Sequence, residues 1–551
     1  MLIQQSAGDR PAGNTRGTRS VVMARNGAIA TSQPLATAAG LKVLQDGGNA
    51  IDAAVTAAAV LSVVEPTMNG PGGDLFAIVY SAKDHKVHGL NASGRAPAAA
   101  TLDEFKKRNL QQVPLRGELS VSVPGVVDGW NELLTKHGTR TLAQALEPAI
   151  RYARDGYAVS EIIAGQWKEV ESLLSRDAKT AAVFLPGGKA PAPGDVFKNP
   201  ALASSLEQIA RGGRDVFYKG AIAKAIADDM QRRNGLLTAK DLADHHADWV
   251  EPLSTTYRGY QVLELPPNTQ GVTALEMLNI LEGFDLKSLG HNTAAYLHVM
   301  VEAKKIAFAD RGAWIGDPSS TPPKAIERML SKDYAAERRK EINPDKASEY
   351  KALTLTGTAA PPADPEPAGR GDTIYMTAAD SQGNVISLIQ SLYETFGSGI
   401  VAGDTGIVLH DRANLFSLTP GHPNQIAPGK RPFHTLVPAM VMKDGAPWLS
   451  FGVMGGDMQA QGHAQVLANL IDFGMNIQEA GEAPRFRHSG NGLALESAFT
   501  ADARNGLTAR GHHVTGGTGA WGGFQGILID PKTRVLMAGS DPRKDGMAAG
   551  W

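Results

Sequence analysis

The 551-residue sequence contains no cysteine. This absence excludes disulfides, thiolate metal sites and a cysteine nucleophile together. An excess of positive charge is also absent, because 54 Lys and Arg residues face 56 Asp and Glu residues. A net charge of −2 gives no electrostatic footprint for nucleic acid or for an anionic membrane surface. We therefore expect neither as a partner.

Long hydrophobic runs are missing as well. No window reaches the roughly 18 apolar residues that a membrane span needs, and the polar N-terminus has no signal-peptide core. The expected location is the cytoplasm, or the periplasm if a leader has been removed. A chain of this length can bury a large core.

Strands and helices divide the chain unevenly. Residues 20–32 predict two short strands around a turn at Asn26-Gly27, and Ala-rich helices are expected at 34–45 and 50–64. A glycine-rich loop at 69–74 (NGPGGD) precedes a strand and lacks a following Lys-Ser/Thr, so it is a poor phosphate cradle. Helices dominate from there to about residue 342. Short strands dominate the C-terminal part, and one of them is expected at 406–409. One clear helix is expected among them, at 457–473. This distribution predicts an α+β fold with its sheets inside.

The stretch from Gly371 to Ser391 organises the chemistry. Residues 374–379 and 385–391 read as the two strands of a hairpin around the turn DSQGN. The Pro/Ala-rich run 357–371, ahead of it, cannot pack as a regular element. Thr373 thus stands at the first position of a core hairpin, behind a flexible linker. An ordinary loop entering an ordinary hairpin is the simpler interpretation of these residues alone.

A threonine in this position suits self-cleavage. Its hydroxyl can attack the carbonyl of Asp372, and the Thr373 α-amine is freed as the C–N bond breaks and an ester forms. Water then hydrolyses the ester and restores the hydroxyl. That amine, with an ordinary pKa of about 7.7–8.0, is a base next to its own hydroxyl nucleophile. We therefore predict cleavage of the Asp372–Thr373 bond and no requirement for a metal or another cofactor.

Acyl transfer also needs donors for a developing oxyanion. Gly455 and Gly456 lie between a predicted strand and a predicted helix, where adjacent N–H groups suit that role. A tight turn alone would equally explain the pair. The histidines, including the pairs at 245–246 and 512–513, show no zinc-binding spacing, so no metal site is predicted.

Several segments together carry a family resemblance. They are ATSQPLATAAGLKVLQDGGNAIDAAVTAAAVLSVVEP near the start, GDTIYMTAADSQGN, TFGSGIVAGDTGIVL, PGKRPFHTLVPAMV, FGVMGG and the terminal GSDPRKDGMAAGW. In these segments the sequence resembles the γ-glutamyltranspeptidase family of N-terminal-nucleophile hydrolases, over almost its whole length.

The resemblance implies a four-layer αββα sandwich built by two autoprocessed subunits, 1–372 and 373–551, as one globular unit. It implies an acyl-threonine intermediate on Thr373, with Ser391 as a second hydroxyl bonded to it and Gly455-Gly456 as the oxyanion hole. The partners implied are a small-molecule amide and the two subunits themselves, with a homodimer of the processed pair left open.

The departures from the family concern the substrate. Glutathione-cleaving members hold the α-carboxylate and α-amine of the substrate with an Arg, an Asn, a Gln, an Asp and a Ser pair. The matching positions are here Ser93 (with Arg95 two residues on), Tyr393, Arg412, Leu415 and His434-Thr435. The segment 416–431 is also short for a lid loop.

Arg95, Tyr393, Arg412, His434 and Thr435 thus form the predicted substrate-binding set, which keeps cations and loses its acid. We predict an acyl group with a carboxylate and without an α-amine, as in glutaryl-type acylases or oxamate-type amidohydrolases. A γ-glutamyltransferase or glutathione hydrolase with a rebuilt pocket is the alternative. A non-catalytic binding scaffold is a remote one, since it would not need Thr373, Ser391 and both glycines.

Overall fold

A computed structural model describes residues 18–355, 360–363, 372–490, 492–516 and 521–551. The predicted linker 357–371 lies outside the described residues except for 360–363. The strands are β1 Val22–Ala24, β2 Gly27–Thr31, β3 Asp74–Ser81, β4 Lys86–Ala92, β5 Tyr157–Ala158, β6 Val196–Phe197, β7 Asp248–Val250, β8 Leu253–Tyr257, β9 Tyr260–Glu264, β10 Asp372–Asp380, β11 Val385–Tyr393, β12 Ala439–Lys443, β13 Ala446–Val453, β14 Phe486–Ser489, β15 Gly492–Leu495, β16 Val514–Gly516, β17 Phe524–Ile529, β18 Leu536–Ser540 and β19 Met547–Gly550.

The helices of the described residues are α1 Pro34–Gln45, α2 Ala50–Val64, α3 Leu102–Lys107, α4 Val126–His137, α5 Leu142–Asp155, α6 Glu161–Glu169, α7 Glu171–Leu174, α8 Ala178–Phe184, α9 Pro200–Gly212, α10 Arg214–Tyr218, α11 Ala221–Arg232, α12 Ala239–Ala243, α13 Gly271–Leu281, α14 Leu286–Leu289, α15 Ala294–Trp314, α16 Pro323–Met329, α17 Lys332–Arg339, α18 Met458–Ile471, α19 Ile477–Glu482 and α20 Ala501–Ala509. None of them is both long and apolar enough to cross a membrane.

Two seven-stranded sheets form the centre of the molecule. The first, in the order β19-β2-β10-β11-β3-β4-β7, contains the predicted hairpin; the second has the order β1-β18-β17-β13-β12-β9-β8. Neighbouring strands pair antiparallel in both sheets. Each sheet combines strands from before residue 372 with strands from after it.

The two sheets face each other through alternate side chains. Tyr375 and Ile389 of the first sheet join Met440 and Ile527 of the second in one buried cluster. The approach is close because a Cβ on Gly452 would lie 2.5 Å from the Tyr375 ring. Only glycine leaves room for that ring, so the residue is fixed by packing.

Helices cover the outer face of each sheet. The opposite side chains of β10, such as Ile374 and Met376, pack in one cluster with residues of α1, α2, α4 and α5. A second cluster joins α13, α15, α18 and α20 to β12 and β13. Every residue of the Ala-rich α2 is buried, as expected for a helix whose small side chains allow close packing. The predicted α+β fold with four αββα layers is confirmed.

Two local predictions in the C-terminal part are wrong. Residues 406–409 form no strand; Val408 makes only an isolated bridge to Val401, and Gly403 and Gly406 turn the chain with φ of +56° and +68°. The region also holds α19 and α20 beside the expected helix α18. Both are short, and α20 carries few apolar residues, so their periodicity is weak.

Candidate active site

Thr373 is the second residue of β10, in the middle of the first sheet. Its side chain is buried, with 1% of its surface exposed, and its Oγ1 donates a hydrogen bond to Ser391 Oγ over 3.3 Å. The two hydroxyls meet because β10 and β11 are adjacent antiparallel strands whose inward positions coincide here. The structure thus brings together the predicted nucleophile and the predicted second hydroxyl; their catalytic roles stay predictions.

An irregularity in the ladder lies beside this pair. Ile374 pairs with Gln390, but Asp372 pairs with Tyr393, so β11 has one extra residue opposite Thr373. Such bulges bend a strand and re-aim a side chain, and they are frequent next to active sites. Tyr393, just after the bulge, has φ of +84°, and its N–H donates to Ser391 Oγ over 2.7 Å. A positive φ is uncommon for a bulky residue, so local strain helps to position Ser391.

The Gly455-Gly456 pair connects β13 to α18. Along β13, Ser450 Oγ lies 2.7 Å from Thr377 Oγ1, and Gly452 packs on Tyr375. Residues two positions further along β13 therefore lie beside residues two positions earlier in β10. A continuation of this register past the end of β13 would bring Met454, the residue before the glycine pair, opposite Thr373.

The conformation of the pair is consistent with a donor role. Gly455 and Gly456 have φ of +110° and +58°, in the left-handed region that favours glycine. Within the described part of the chain, neither N–H donates to another group. Buried N–H groups are rarely left without an acceptor, so these two are available for a developing oxyanion.

A buried network of hydrogen bonds holds this loop in place. Arg311 Nη1 donates to Asp457 Oδ1 and to Gln270 Oε1, over 2.7 Å each. Gln270 Nε2 in turn donates to the carbonyl oxygens of Thr435 (2.7 Å) and Gly456 (3.1 Å). The turn is thus fixed before any substrate arrives.

The glycine-rich loop at 69–74 also reaches the site. Asp74 pairs with Ser391 in the ladder, and a Cβ on Gly73 would lie 2.4 Å from the Ser391 carbonyl oxygen. The glycines therefore permit close backbone approach to β11. The loop packs against the protein's own strand at this point.

Asp74 is the centre of a buried charged cluster. Its Oδ2 lies 3.2 Å from His410 Nδ1 and 3.1 Å from His434 Nε2, and its Oδ1 accepts the Gly94 N–H over 2.9 Å. Burial by itself raises the pKa of Asp74, but the two histidines outweigh it and hold that pKa well below its usual range. Burial and Arg412 lower the pKa of His434 to about 3. Asp74 is therefore a carboxylate and His434 a neutral donor at neutral pH.

Arg412 lies against this cluster with its side chain completely buried. Its Nε is 3.9 Å from Asp74 Oδ2, its Nη1 donates to Thr435 Oγ1 over 3.0 Å, and its guanidinium stacks on Tyr393 at 4.6 Å. Burial lowers the pKa of Arg412. Among the described residues, Nε and Nη2 have no hydrogen-bond acceptor, and the Tyr393 hydroxyl has no partner either. A buried cation with free donors is costly unless something else binds there.

The other predicted binding residues have different surroundings. His434 and Thr435 bond to Asp74 and Arg412, so they orient the cluster. Arg95 is partly exposed and pairs with Asp248 at 2.9 Å, while its Nη1 donates to the His246 carbonyl oxygen over 2.9 Å. No contact joins Arg95 to Arg412 within the described ranges, so the structure does not bring the two predicted cations together.

Sequence reasoning missed Asp74, His410, Gln270 and Asp411 as site residues. Asp74 is the last residue of a glycine-rich loop just ahead of an apolar strand. A charged residue in that place could have indicated a functional site. Asp411 follows His410; burial raises its pKa to about 7 against the nearby Arg116, and its Oδ2 has no hydrogen-bond partner among the described residues. Its sequence neighbourhood carries no such signal.

The sandwich with a buried threonine near the start of a central strand defines a class, the N-terminal-nucleophile hydrolases. Comparisons with known proteins narrow the class. The family model described as Gamma-glutamyltranspeptidase matches residues 36–551. The chain belongs to the gamma-glutamyltranspeptidase family.

Relatives and solved structures agree with this assignment. The chain is 40% identical to the glutathione hydrolase-like YwrD proenzyme of Bacillus subtilis, over 94% of this chain and 97% of that one. It is 36% identical to the glutathione hydrolase proenzyme of Escherichia coli, over 96% and 93%. The crystal structure of cephalosporin acylase from Bacillus halodurans matches with a TM-score of 0.90 and 41% identity, over 100% and 99%. The protein is thus an autoprocessing amide hydrolase.

Proposed function

We propose that this hydrolase cleaves an amide whose acyl part ends in a carboxylate and carries no α-amine, as in a glutaryl amide. The observation that carries the proposal is Arg412, a buried guanidinium whose Nε and Nη2 have no acceptor among the described residues. A carboxylate matches two such donors in geometry and charge. The Tyr393 hydroxyl would offer a further donor.

The apolar side of the same region supports the absence of an α-amine. Leu415, Tyr393 and Phe433 belong to one buried apolar cluster. An ammonium placed against these side chains would lose its hydration without a counter-ion, which costs several kcal/mol.

The chemistry begins with processing. Thr373 Oγ1 attacks the Asp372 carbonyl carbon, and the C–N bond breaks as the ester forms, which frees the Thr373 α-amine. Water then hydrolyses the ester, which releases the Asp372 carboxylate and restores the Thr373 hydroxyl. In the processed enzyme that amine takes the hydroxyl proton as Oγ1 attacks the substrate amide, and passes it to the leaving amine. Gly455 and Gly456 donate to the tetrahedral oxyanion, Ser391 orients Oγ1, and water then releases the acid.

Intact mass spectrometry tests the processing step. The 58.1 kDa wild-type chain should separate into two chains that meet at Asp372/Thr373, whereas Thr373→Ala should stay whole. Thr373→Ser keeps a hydroxyl and should still be cleaved. A Thr373→Ala protein cut at the same bond would contradict the assignment of Thr373.

A pair of chromogenic anilides tests the substrate. Glutaryl and γ-glutamyl anilides differ only in the α-amine, so their ratio of kcat/KM isolates that group. We expect the glutaryl compound to be preferred by at least about tenfold, the equivalent of one unpaired polar group. Preference for the γ-glutamyl compound would overturn the proposal.

A second candidate, γ-glutamyl hydrolysis or transfer, is favoured by one observation. Asp411 has a carboxylate oxygen without a hydrogen-bond partner among the described residues, and that oxygen could accept an α-ammonium. If so, γ-glutamyl turnover should rise as pH passes about 7, where Asp411 loses its proton, and Asp411→Asn should remove that rise. Turnover of the glutaryl compound serves as the matched control, since it has no amine.

A further inference from the structure

A second group of chemically capable side chains lies outside the catalytic site, between α15 and the segment after α20. Among the described residues, His298, Glu302 and His512 place one ligand-type atom each within 4.8 Å of one another, and all three side chains are buried. His298 and Glu302 are four residues apart on α15, so they share one face of the helix. His512 comes from the other end of the chain.

The two imidazoles are already arranged around a single shared proton. His298 Nε2 lies 2.7 Å from the Asn343 carbonyl oxygen, which can only accept, so Nε2 carries a proton. The neutral ring therefore directs the lone pair of Nδ1 outward, and this atom lies 2.7 Å from His512 Nε2. Only one proton fits between these two nitrogens.

The carboxylate is held in a complementary way. Glu302 Oε2 accepts the Ser348 N–H over 2.9 Å and the Tyr350 hydroxyl over 2.6 Å. Its Oε1 is directed toward His512 Nε2, at 4.0 Å. Ligand groups oriented by backbone carbonyls and hydroxyls in this manner are typical of metal sites.

We infer that His298 Nδ1, His512 Nε2 and Glu302 Oε1 form a site for a divalent transition-metal ion of the zinc type. Two imidazoles and a carboxylate are a common zinc donor set, with a fourth position left for water. Zinc–nitrogen bonds of about 2.0–2.1 Å require ligand atoms about 3.3 Å apart in a tetrahedron. The nitrogens must therefore separate slightly and Glu302 Oε1 must move inward, both by less than about 1 Å. The ion takes the place of the proton between the rings, which moves to His512 Nδ1, so both imidazoles bind the ion in their neutral form.

Lys305 is the competitor for this site. Its Nζ lies 3.1 Å from Glu302 Oε1 and 3.7 Å from the carboxylate of the exposed Glu349. A cation at the site would displace the ammonium toward Glu349 and solvent. Removing the lysine charge should therefore strengthen metal binding, an effect that a purely structural role of the cluster does not produce.

The site also connects two parts of the chain. If processing occurs at Asp372–Thr373, as proposed above, His298 and Glu302 belong to one subunit and His512 to the other. A bound ion then links the two subunits where no covalent bond remains. Its role is mechanical, since no hydrogen bond or ion pair among the described residues joins these three side chains to Arg412.

Calorimetric titration of the chelator-treated enzyme with Zn²⁺ tests the inference. We expect one equivalent to bind with a heat that does not depend on the ionisation enthalpy of the buffer, because both imidazoles stay neutral. Co²⁺ should give the visible absorption of a tetrahedral complex. His512→Ala should weaken binding at least ~10-fold, Lys305→Met should tighten it, and His513→Ala, which removes the exposed neighbour, should leave it unchanged. The absence of a saturable equivalent, or equal effects of His512→Ala and His513→Ala, would overturn the site.

The same samples separate this inference from the proposed function. Hydrolysis of the glutaryl anilide should not respond to zinc, so failure of the substrate proposal leaves the titration intact. The urea concentration at which the two subunits separate should rise with Zn²⁺ in the wild type and not in His512→Ala. A midpoint independent of zinc would overturn the link between subunits.

Discussion

Two buried arginines are linked to Thr435, Arg412 directly and Arg311 through Gln270, and they have opposite surroundings. Arg311 makes a two-point ion pair with Asp457 (2.7 and 3.3 Å) and also donates to Gln270. Arg412 has one hydrogen bond, to Thr435, and two nitrogens without acceptors among the described residues. The saturated cation supports the turn that contains Gly455 and Gly456, whereas the unsaturated one is the group that we propose binds the substrate carboxylate. Burial alone does not distinguish scaffold from binding site; the count of satisfied donors does.

The largest effect is expected at the saturated arginine. Arg311→Met leaves the Asp457 carboxylate buried without its partner, which costs about 3–5 kcal/mol of unfolding free energy. Urea denaturation of the wild type and the variant measures this loss. In the double variant with Asp457→Asn much of it should be recovered, and a full loss in that double variant would contradict the ion-pair explanation.

The unsaturated arginine should behave in the opposite manner. Arg412→Met should raise KM for the glutaryl anilide about 10²-fold, because hydrogen bonds to charged groups contribute about 1.5–3 kcal/mol each. Stability should stay within about 1 kcal/mol or increase, since a partly paired buried charge is removed. An anilide with an uncharged acyl chain should show little change. An equal increase in KM for both substrates would contradict the proposal that Arg412 binds the carboxylate of the acyl group.

The buried Asp74 cluster should make stability depend on pH, which extends the comparison of buried charges. The pKa of Asp74 is lowered on folding, so its stabilisation is present above the unfolded value of about 3.9 and is lost as pH falls toward the folded value. Asp74→Asn should therefore cost about 2 kcal/mol at pH 7 and progressively less below pH 4. The exposed Asp103→Asn is the matched control and should show no such convergence. A deficit that is constant with pH would contradict the charge-based explanation.

The smallest effect is expected at Arg95. Its pair with Asp248 is partly exposed, and such pairs contribute about 0–1 kcal/mol. Arg95→Leu should change KM for the glutaryl anilide less than about threefold. A change as large as that of Arg412→Met would show that Arg95 reaches the substrate after all, as the sequence suggested.

More of the fold than of the binding site could be predicted from the sequence. The helices predicted at 34–45 and 50–64 coincide with α1 and α2, because their ends are marked by a proline start, glycines and a capping asparagine. The hairpin around residue 382 was predictable for the same reason, because its turn and both strands are adjacent in the sequence. The cluster of Asp74, His410, Arg412 and His434 was not predictable as a unit, because the residues that meet Asp74 lie more than 300 positions away. Arg95 was grouped with Arg412 by charge alone, and charge does not reveal a partner such as Asp248.

The combination of strands from both parts of the chain in each sheet has a consequence for a cut chain. In the first sheet β10 lies between β2 and β11, and β19 closes the edge next to β2. A break just before β10 would leave neither fragment with a complete sheet of its own. The two fragments would then melt in one transition, and recovery after denaturation would become a second-order reaction that slows on dilution. The intact precursor would recover at a rate independent of its concentration.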